Sequence, residues 1–328
     1  MGENKPSASD GRREKPKIGD ILRDNVSYLA FILLVLIFWV LAGDSFMNWT
    51  NLRLILEQLP ILAILAIGMT FVITGGFIDL SVGSALGFAA LAGAFGASMA
   101  GPLGLLLGVA AGAGVGLLNG VLFAFVKIPS FIVTLASMVG VRALVAIASG
   151  GFAIYLDQAT GSNLSILRSL GQFPWVVIVT VVVAGVAVLL YNFSVFGRDL
   201  KAIGGNERVV GRSGINVNRI KVLVFVLSGT LTGLASILSL AQFGAAGPQT
   251  GVGLELYAIS AVVLGGTPLT GGHGSVVKTI VGALALQVLA NGLTIAGVPP
   301  SWNDIVRGTL LVVAIAIALD RRKIGIVK

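Results

Sequence analysis

Apolar residues come in long blocks along this chain, separated by short polar or glycine-containing interruptions. Ten blocks stand out, at about 27–43, 52–74, 82–100, 103–126, 130–149, 173–191, 221–241, 254–267, 275–296 and 302–319. Most reach the roughly 20 residues that an α-helix needs to cross a bilayer. The eighth does not. Its apolar part, Leu256 to Leu264, is bounded by Gly253 and by Gly265-Gly266, which predicts a tilted, broken or re-entrant element. Such an element is tolerated at membrane depth only when it is buried in protein. The pattern predicts an all-α polytopic membrane protein. A polar tail over 1–26 precedes a single transmembrane domain over 27–320, and 321–328 form a second tail. Val40-Leu41-Ala42 has the look of a signal cleavage site, but the long acid-containing tail before it favours an uncleaved anchor.

The longest interior polar interruption runs from Gly197 to Lys221, within an expected loop over 192–220. It carries Arg198, Lys201, Arg208, Arg212, Arg219 and Lys221 against only Asp199 and Glu207. Asn206 suits an N-cap, Glu207 the first turn, Arg212 the last turn and Gly214 the left-handed stop position. The intervening Arg208, Val209, Val210, Gly211 and Ser213 complete a helix of about two turns, too short to persist alone in water. It must dock on its own membrane domain or on a partner; the other reading is a solvated loop that only fixes topology.

Composition agrees with the block pattern. Of 328 residues 56% are apolar and 11% charged, and the mean hydropathy is +0.98. A soluble domain this apolar could not cover itself. The 45 glycines let helices approach closely in a membrane. There is no cysteine, hence no disulfide or thiolate metal site, and the single histidine, His273, reads as interfacial. The net charge of +8 would suit nucleic acid, but its placement is a topology signal. With the amino terminus inside, eighteen of the 22 Lys and Arg fall on the inner side, and only Arg53 and Arg168 outside. Both termini and 192–220 are therefore expected in the cytoplasm.

No phosphate-binding G-x-x-x-x-G-K-[ST], no H-E-x-x-H and no G-x-S-x-G is present. A chain without a nucleotide site, but with a structured basic segment inside, points to energy delivered by a partner. Polar residues within the blocks are costly in lipid. Glu57, Gln58, Asn119, Thr134, Ser137, Arg142, Gln242, Glu255, Gln287, Asn291, Asp304 and Arg307 are of this kind. They serve as helix–helix glue or line a polar path; Asn119, Gln287 and Asn291 are expected to face one central cavity. Thr74-Gly75-Gly76 with Asp79 and Thr270-Gly271-Gly272 with His273 are paired glycine interruptions of the sort that mark internal symmetry near a path. Thr74 and Asp79 are accordingly placed on it. The carboxylates Glu57, Asp79, Glu255 and Asp304 all read as lying near span ends, which counts against a proton- or sodium-coupled carrier. The lack of any acid–base constellation counts against a membrane enzyme.

The motifs TGGFIDLSVGS (Thr74–Ser84), KIPSFIVTL (Lys127–Leu135), GRDLKAIGGN (Gly197–Asn206), SGINVNRIK (Ser213–Lys221) and AVVLGGTPLTGGHGS (Ala261–Ser275) follow in this order. Together they make the chain resemble the permease subunits of ribose-type ATP-binding-cassette sugar importers. The resemblance implies ten helices and a permease dimer, with a homodimer expected, in a bacterial inner membrane. It implies two cytoplasmic ATPase subunits that bind ATP and magnesium, so that this chain needs no cofactor of its own, and an extracytoplasmic sugar-binding protein. Glu207 to Ser213 then matches the coupling helix that docks on the ATPase. The chain departs from the family at Val209-Val210, where small residues are common. The expected cargo is a ribose-like monosaccharide or related polyol; permeases for branched-chain amino acids or nucleosides share the architecture.

Overall fold

The computed structural model describes residues 25–156 and 164–299, together with residues 302, 305, 306, 308 and 309. The tail over 1–24, the tail over 321–328 and most of the 302–319 block, including Asp304 and Arg307, lie outside the described residues.

The domain is built around helix α2, Trp49–Thr74, which follows α1, Val26–Ala42. Asn48 caps α2 by accepting a hydrogen bond from the Asn51 amide at 2.8 Å. From Leu59 to Thr74 every residue of α2 is buried. A helix apolar on all sides can satisfy itself only by being surrounded. Helices α3 (Val82–Ala100), α4 (Leu106–Phe125), α5 (Ser130–Ala148), α6 (Leu164–Leu170), α7 (Trp175–Phe193), α8 (Val195–Arg212), α9 (Val217–Phe243), α10 (Leu254–Leu264) and α11 (Val276–Ile295) complete the described helices. A two-stranded antiparallel pair, β1 (Ile154–Tyr155) and β2 (Ala245–Ala246), joins the α5–α6 connection to the end of α9.

Among the described residues seven stretches are long and apolar enough to cross a membrane. One, Val82–Phe125, is 44 residues long and folds back on itself. Gly101, at φ +60, makes the turn, and a Cβ on Gly104, where the chain returns, would collide with the backbone of Gly96 on α3. Each leg, α3 and α4, is about 30 Å long and matches the hydrocarbon thickness by itself. Helix α9 packs on α4 through Gly112, Gly116, Gly229 and Gly233, whose missing side chains let the two backbones touch.

One expectation is corrected here. The 192–220 segment is not a loop: α8 fills most of it, and α9 starts at Val217, so Arg219 and Lys221 belong to a membrane-length helix. The eighth block is short as expected, at 11 residues, and the chain reaches it through a non-helical segment over 247–253.

Candidate functional site

The basic segment is helical because Ser194 starts it and an amphipathic face holds it. Ser194 Oγ accepts from the Gly197 amide at 2.9 Å. Leu200 and Ile203 are buried against the bundle, and the polar residues point away. Gly204 has no side chain because the carbonyl of Thr74, at the end of α2, occupies that space. Tyr191 secures the same joint: its hydroxyl lies 3.0 Å from Thr74 Oγ1, and Lys201 Nζ stands 4.0 Å above its ring.

At Asn206 the helix breaks, with φ −161 and ψ 95. Its Oδ1 accepts from the Val209 amide at 3.2 Å and caps a second short helix from Glu207 to Arg212. Ser213 ends it and Gly214, at φ +84, takes the left-handed position. Glu207, Arg208, Val209, Gly211, Arg212, Ser213 and Gly214 are exposed, whereas Val210 is 7% exposed and belongs to the subunit's own core. Of the two valines only Val209, 58% exposed, is free to meet a partner. Glu207 pairs with Lys221 of α9 at 2.7 Å. Lys221 Nζ also stands 4.5 Å from the centre of the Phe123 ring at the end of α4.

The two glycine interruptions meet each other. The Gly272 amide donates to the Thr74 carbonyl at 2.8 Å, and a Cβ on Gly271 would press on Gly76. His273 is exposed. Between Thr74 and α3 the chain dips inward and carries Asp79 to 2% exposure. Asp79 Oδ1 accepts from the amide and hydroxyl of Ser81, at 3.0 and 2.6 Å, and Oδ2 from Ser228 Oγ at 3.1 Å. Ser228 lies eleven residues into α9, about 16 Å along its axis. Asp79 is therefore deep in the bundle rather than near a span end, which corrects the reading of the carboxylates. A hydrophobicity pattern does not show that an irregular segment turns back into the protein.

At the other end of α2 lies a cavity of about 650 Å³. Gln58 is sixteen residues from Thr74, so cavity and α8 are about 24 Å apart along α2. The cavity wall holds Gln58, Gln242, Gln249 and Gln287 with Phe243 and Tyr257, and among the described residues no charged side chain lines it. Gln287 Nε2 donates to Gln58 Oε1 at 2.7 Å, bridging α11 and α2. Gln242 Nε2 donates to the Glu57 carbonyl. A smaller cleft beside it shares Gln58 and Gln242 and does carry charge, in Glu57 and Arg168.

The three residues expected to share a cavity are not brought together. Gln287 lines it. Asn119 is fully buried near Asp79, donating to Ser81 Oγ at 2.8 Å. Asn291 donates to Asn51 Oδ1 at 2.8 Å, on the contact between α11 and the start of α2. Thr74 sits at the α8 end and Asp79 is buried against Ser228 midway along α9, and neither lines the cavity. Gln58 and Gln242 were visible in sequence as polar residues within apolar blocks. Gln249 was not, since it lies in a glycine-containing interruption that reads as an ordinary turn.

A bundle of long apolar helices around a cavity lined by carboxamides and apolar side chains, with a basic helix docked at the opposite end, is the build of a multi-pass membrane transport protein. The chain belongs to the family described as branched-chain amino acid transport system / permease component, which it matches over residues 51–315. It is 39% identical to the ribose import permease protein RbsC of Escherichia coli (strain K12), over 92% of this chain and 95% of that one. RbsC of Bacillus subtilis (strain 168) is also 39% identical, over 90% of this chain and 92% of that one. The L-arabinose ABC transporter permease protein AraH of Azospirillum brasilense is 36% identical, over 91% of this chain and 88% of that one. No solved structure matches the chain.

Proposed function

We propose that this chain is the membrane-spanning permease subunit of an ATP-driven importer for a neutral monosaccharide or related polyol. The observation that carries the cargo class is the cavity, whose polar groups include four carboxamides and whose lining, among the described residues, has no charged side chain. Carboxamides both donate to and accept from hydroxyl groups. An amino acid would bring a carboxylate and an ammonium group, and taking each out of water unpaired costs several kcal/mol. The cavity thus favours sugar over the amino acids in the family's description, in line with the ribose and arabinose permeases it resembles.

The remaining parts of the reading follow from the same family. Ten spans with both termini inside account for the charge placement, and two copies pair as a homodimer in a bacterial inner membrane. ATP and magnesium belong to a separate cytoplasmic ATPase, and the cargo arrives on an extracytoplasmic binding protein. The short helix from Glu207 to Arg212 is the contact that carries ATPase motion into the bundle, through α8 to α2 and through Lys221 to α9. Asn119, Thr74 and Asp79 act on the inner side of the path, and Gln287 lines its outer part; Asn291 holds α11 against α2.

Vesicles containing this chain with its ATPase and binding protein are expected to take up labelled pentose only when ATP is inside the cytoplasmic compartment. Uptake of leucine in place of pentose, or pentose uptake driven by an ion gradient without ATP, would overturn the reading.

A further inference from the structure

We infer that Gln249 is a solute-reading residue of the cavity and that Arg142 is the residue that positions it. The inference rests on the sugar-import reading for the nature of the solute.

The chain between α9 and α10 leaves the helix at Gly244 and stays non-helical over 247–253. It does so at membrane depth: Thr250 O lies where a Cβ of Gly87 would stand, and Gly251 O where one of Gly83 would stand. Both glycines belong to α3. Backbone carbonyls left out of regular structure at that depth need donors. Arg142, half-buried on α5, supplies them. Its Nη1 donates to Thr250 O at 2.7 Å and to Pro248 O at 3.3 Å. These two carbonyls flank Gln249.

A guanidinium is a planar, permanently charged donor set that holds two carbonyls in one fixed arrangement. It immobilises the peptide on each side of Gln249 and so directs that side chain to the cavity wall. Gly251 and Gly253, at φ +78 and +80, make the turn that a chain of ordinary residues would resist. On α10, Glu255 Oε2 is buried without a hydrogen-bond partner.

Gln249 differs from the other cavity glutamines. Gln58 and Gln287 bond to each other and Gln242 bonds to backbone. Gln249 is exposed, and among the described residues its carboxamide has no partner. It offers two donors and an acceptor oxygen to whatever enters. That set matches adjacent hydroxyls on a neutral sugar ring, and Phe243 and Tyr257 on the same wall suit its C–H face.

The chain has no cysteine, so Gln249→Cys gives one thiol per permease copy, followed on the permease band of the assembled transporter. A hydrophilic maleimide is expected to label it in nanodiscs. Millimolar D-ribose, D-xylose or L-arabinose should slow labelling several-fold, and leucine should not. Adding Arg142→Gln should abolish the protection, while Arg142→Lys keeps part of it. In uptake at saturating loaded binding protein, Gln249→Leu should lower the pentose rate roughly two- to tenfold, the range set by one net hydrogen bond. Gln249→Asn, which keeps the carboxamide, should lower it less. Labelling indifferent to all three sugars, in a transporter whose wild type imports one of them, overturns the inference. So does a Gln249→Leu rate equal to wild type, should the cysteine variant fail to assemble. Protection by sugar in a transporter that imports none leaves the inference standing and refutes the import reading instead.

Discussion

Lys221 Nζ lies 2.7 Å from Glu207 Oε1, and the pair links the short capped helix to the start of α9. The two ends differ in surroundings: Glu207 is half exposed, whereas the Lys221 side chain is only 11% exposed. The lysine is also held by the Phe123 and Phe77 rings, at 4.5 and 5.8 Å. A half-exposed pair is worth about 1 kcal/mol at most, so its importance is in direction rather than stability.

Removing that link should cost transport more than folding. Lys221→Met is expected to leave the melting temperature nearly unchanged while ATP-driven uptake falls several-fold. Lys221→Arg, which keeps the charge, should retain most of it. Exchanging the charges, with Glu207→Lys and Lys221→Glu together, should restore little, because a carboxylate would face the aromatic rings. Uptake and thermal unfolding of the same preparations decide this.

The two adjacent valines should separate docking from folding. Val210 is buried in the subunit, so Val210→Ser places an unpaired hydroxyl there at a cost of about 1–3 kcal/mol, visible as a lower melting temperature. Val209 is exposed, and Val209→Ser should change stability by no more than about 0.5 kcal/mol. It should nonetheless reduce co-purification with the ATPase. If Val209→Ser leaves both ATPase binding and uptake at wild-type levels, the short helix is not the docking contact.

Neighbouring glycines in α8 make a second internal control. A methyl on Gly204 would enter the space of the Thr74 carbonyl and the Gly272 amide, whereas one on Gly205 meets nothing. Gly204→Ala is expected to destabilise by about 1–3 kcal/mol, as overpacking does, and to impair uptake by displacing α8 from α2. Gly205→Ala should be neutral in both measurements. Equal behaviour of the two variants would mean that α8 is not seated on Thr74.

Topology can be read with single cysteines in a chain that has none. Asn218 and Phe152 are both exposed, at opposite ends of the bundle. An impermeant thiol reagent added to intact cells should label Phe152→Cys and spare Asn218→Cys until the membrane is opened. Labelling of Asn218→Cys from outside would reverse the assigned orientation.

Much of this protein is determined by sequence alone, because its strongest signals are local. Long apolar blocks can only be membrane helices, whatever packs beside them. The cap at Asn206, the stop at Gly214 and the shortness of the eighth element depend on residues close to one another in the chain, and all three are present. Other features depend on what lies across space. The hydrophilic composition of 195–205 reads as loop until Thr74 and the Gly271-Gly272 turn provide a surface for Leu200, Ile203 and Gly204. Asp79 reads as a boundary residue until the chain after Thr74 turns inward to reach Ser228. Asn119, Gln287 and Asn291 are alike in sequence, each a polar residue in an apolar helix, and only the packing of α4 and α11 sends them to three different places. Gln249 carries no local signal at all. Its role is created by an arginine more than a hundred positions earlier, whose guanidinium satisfies the carbonyls on either side of it.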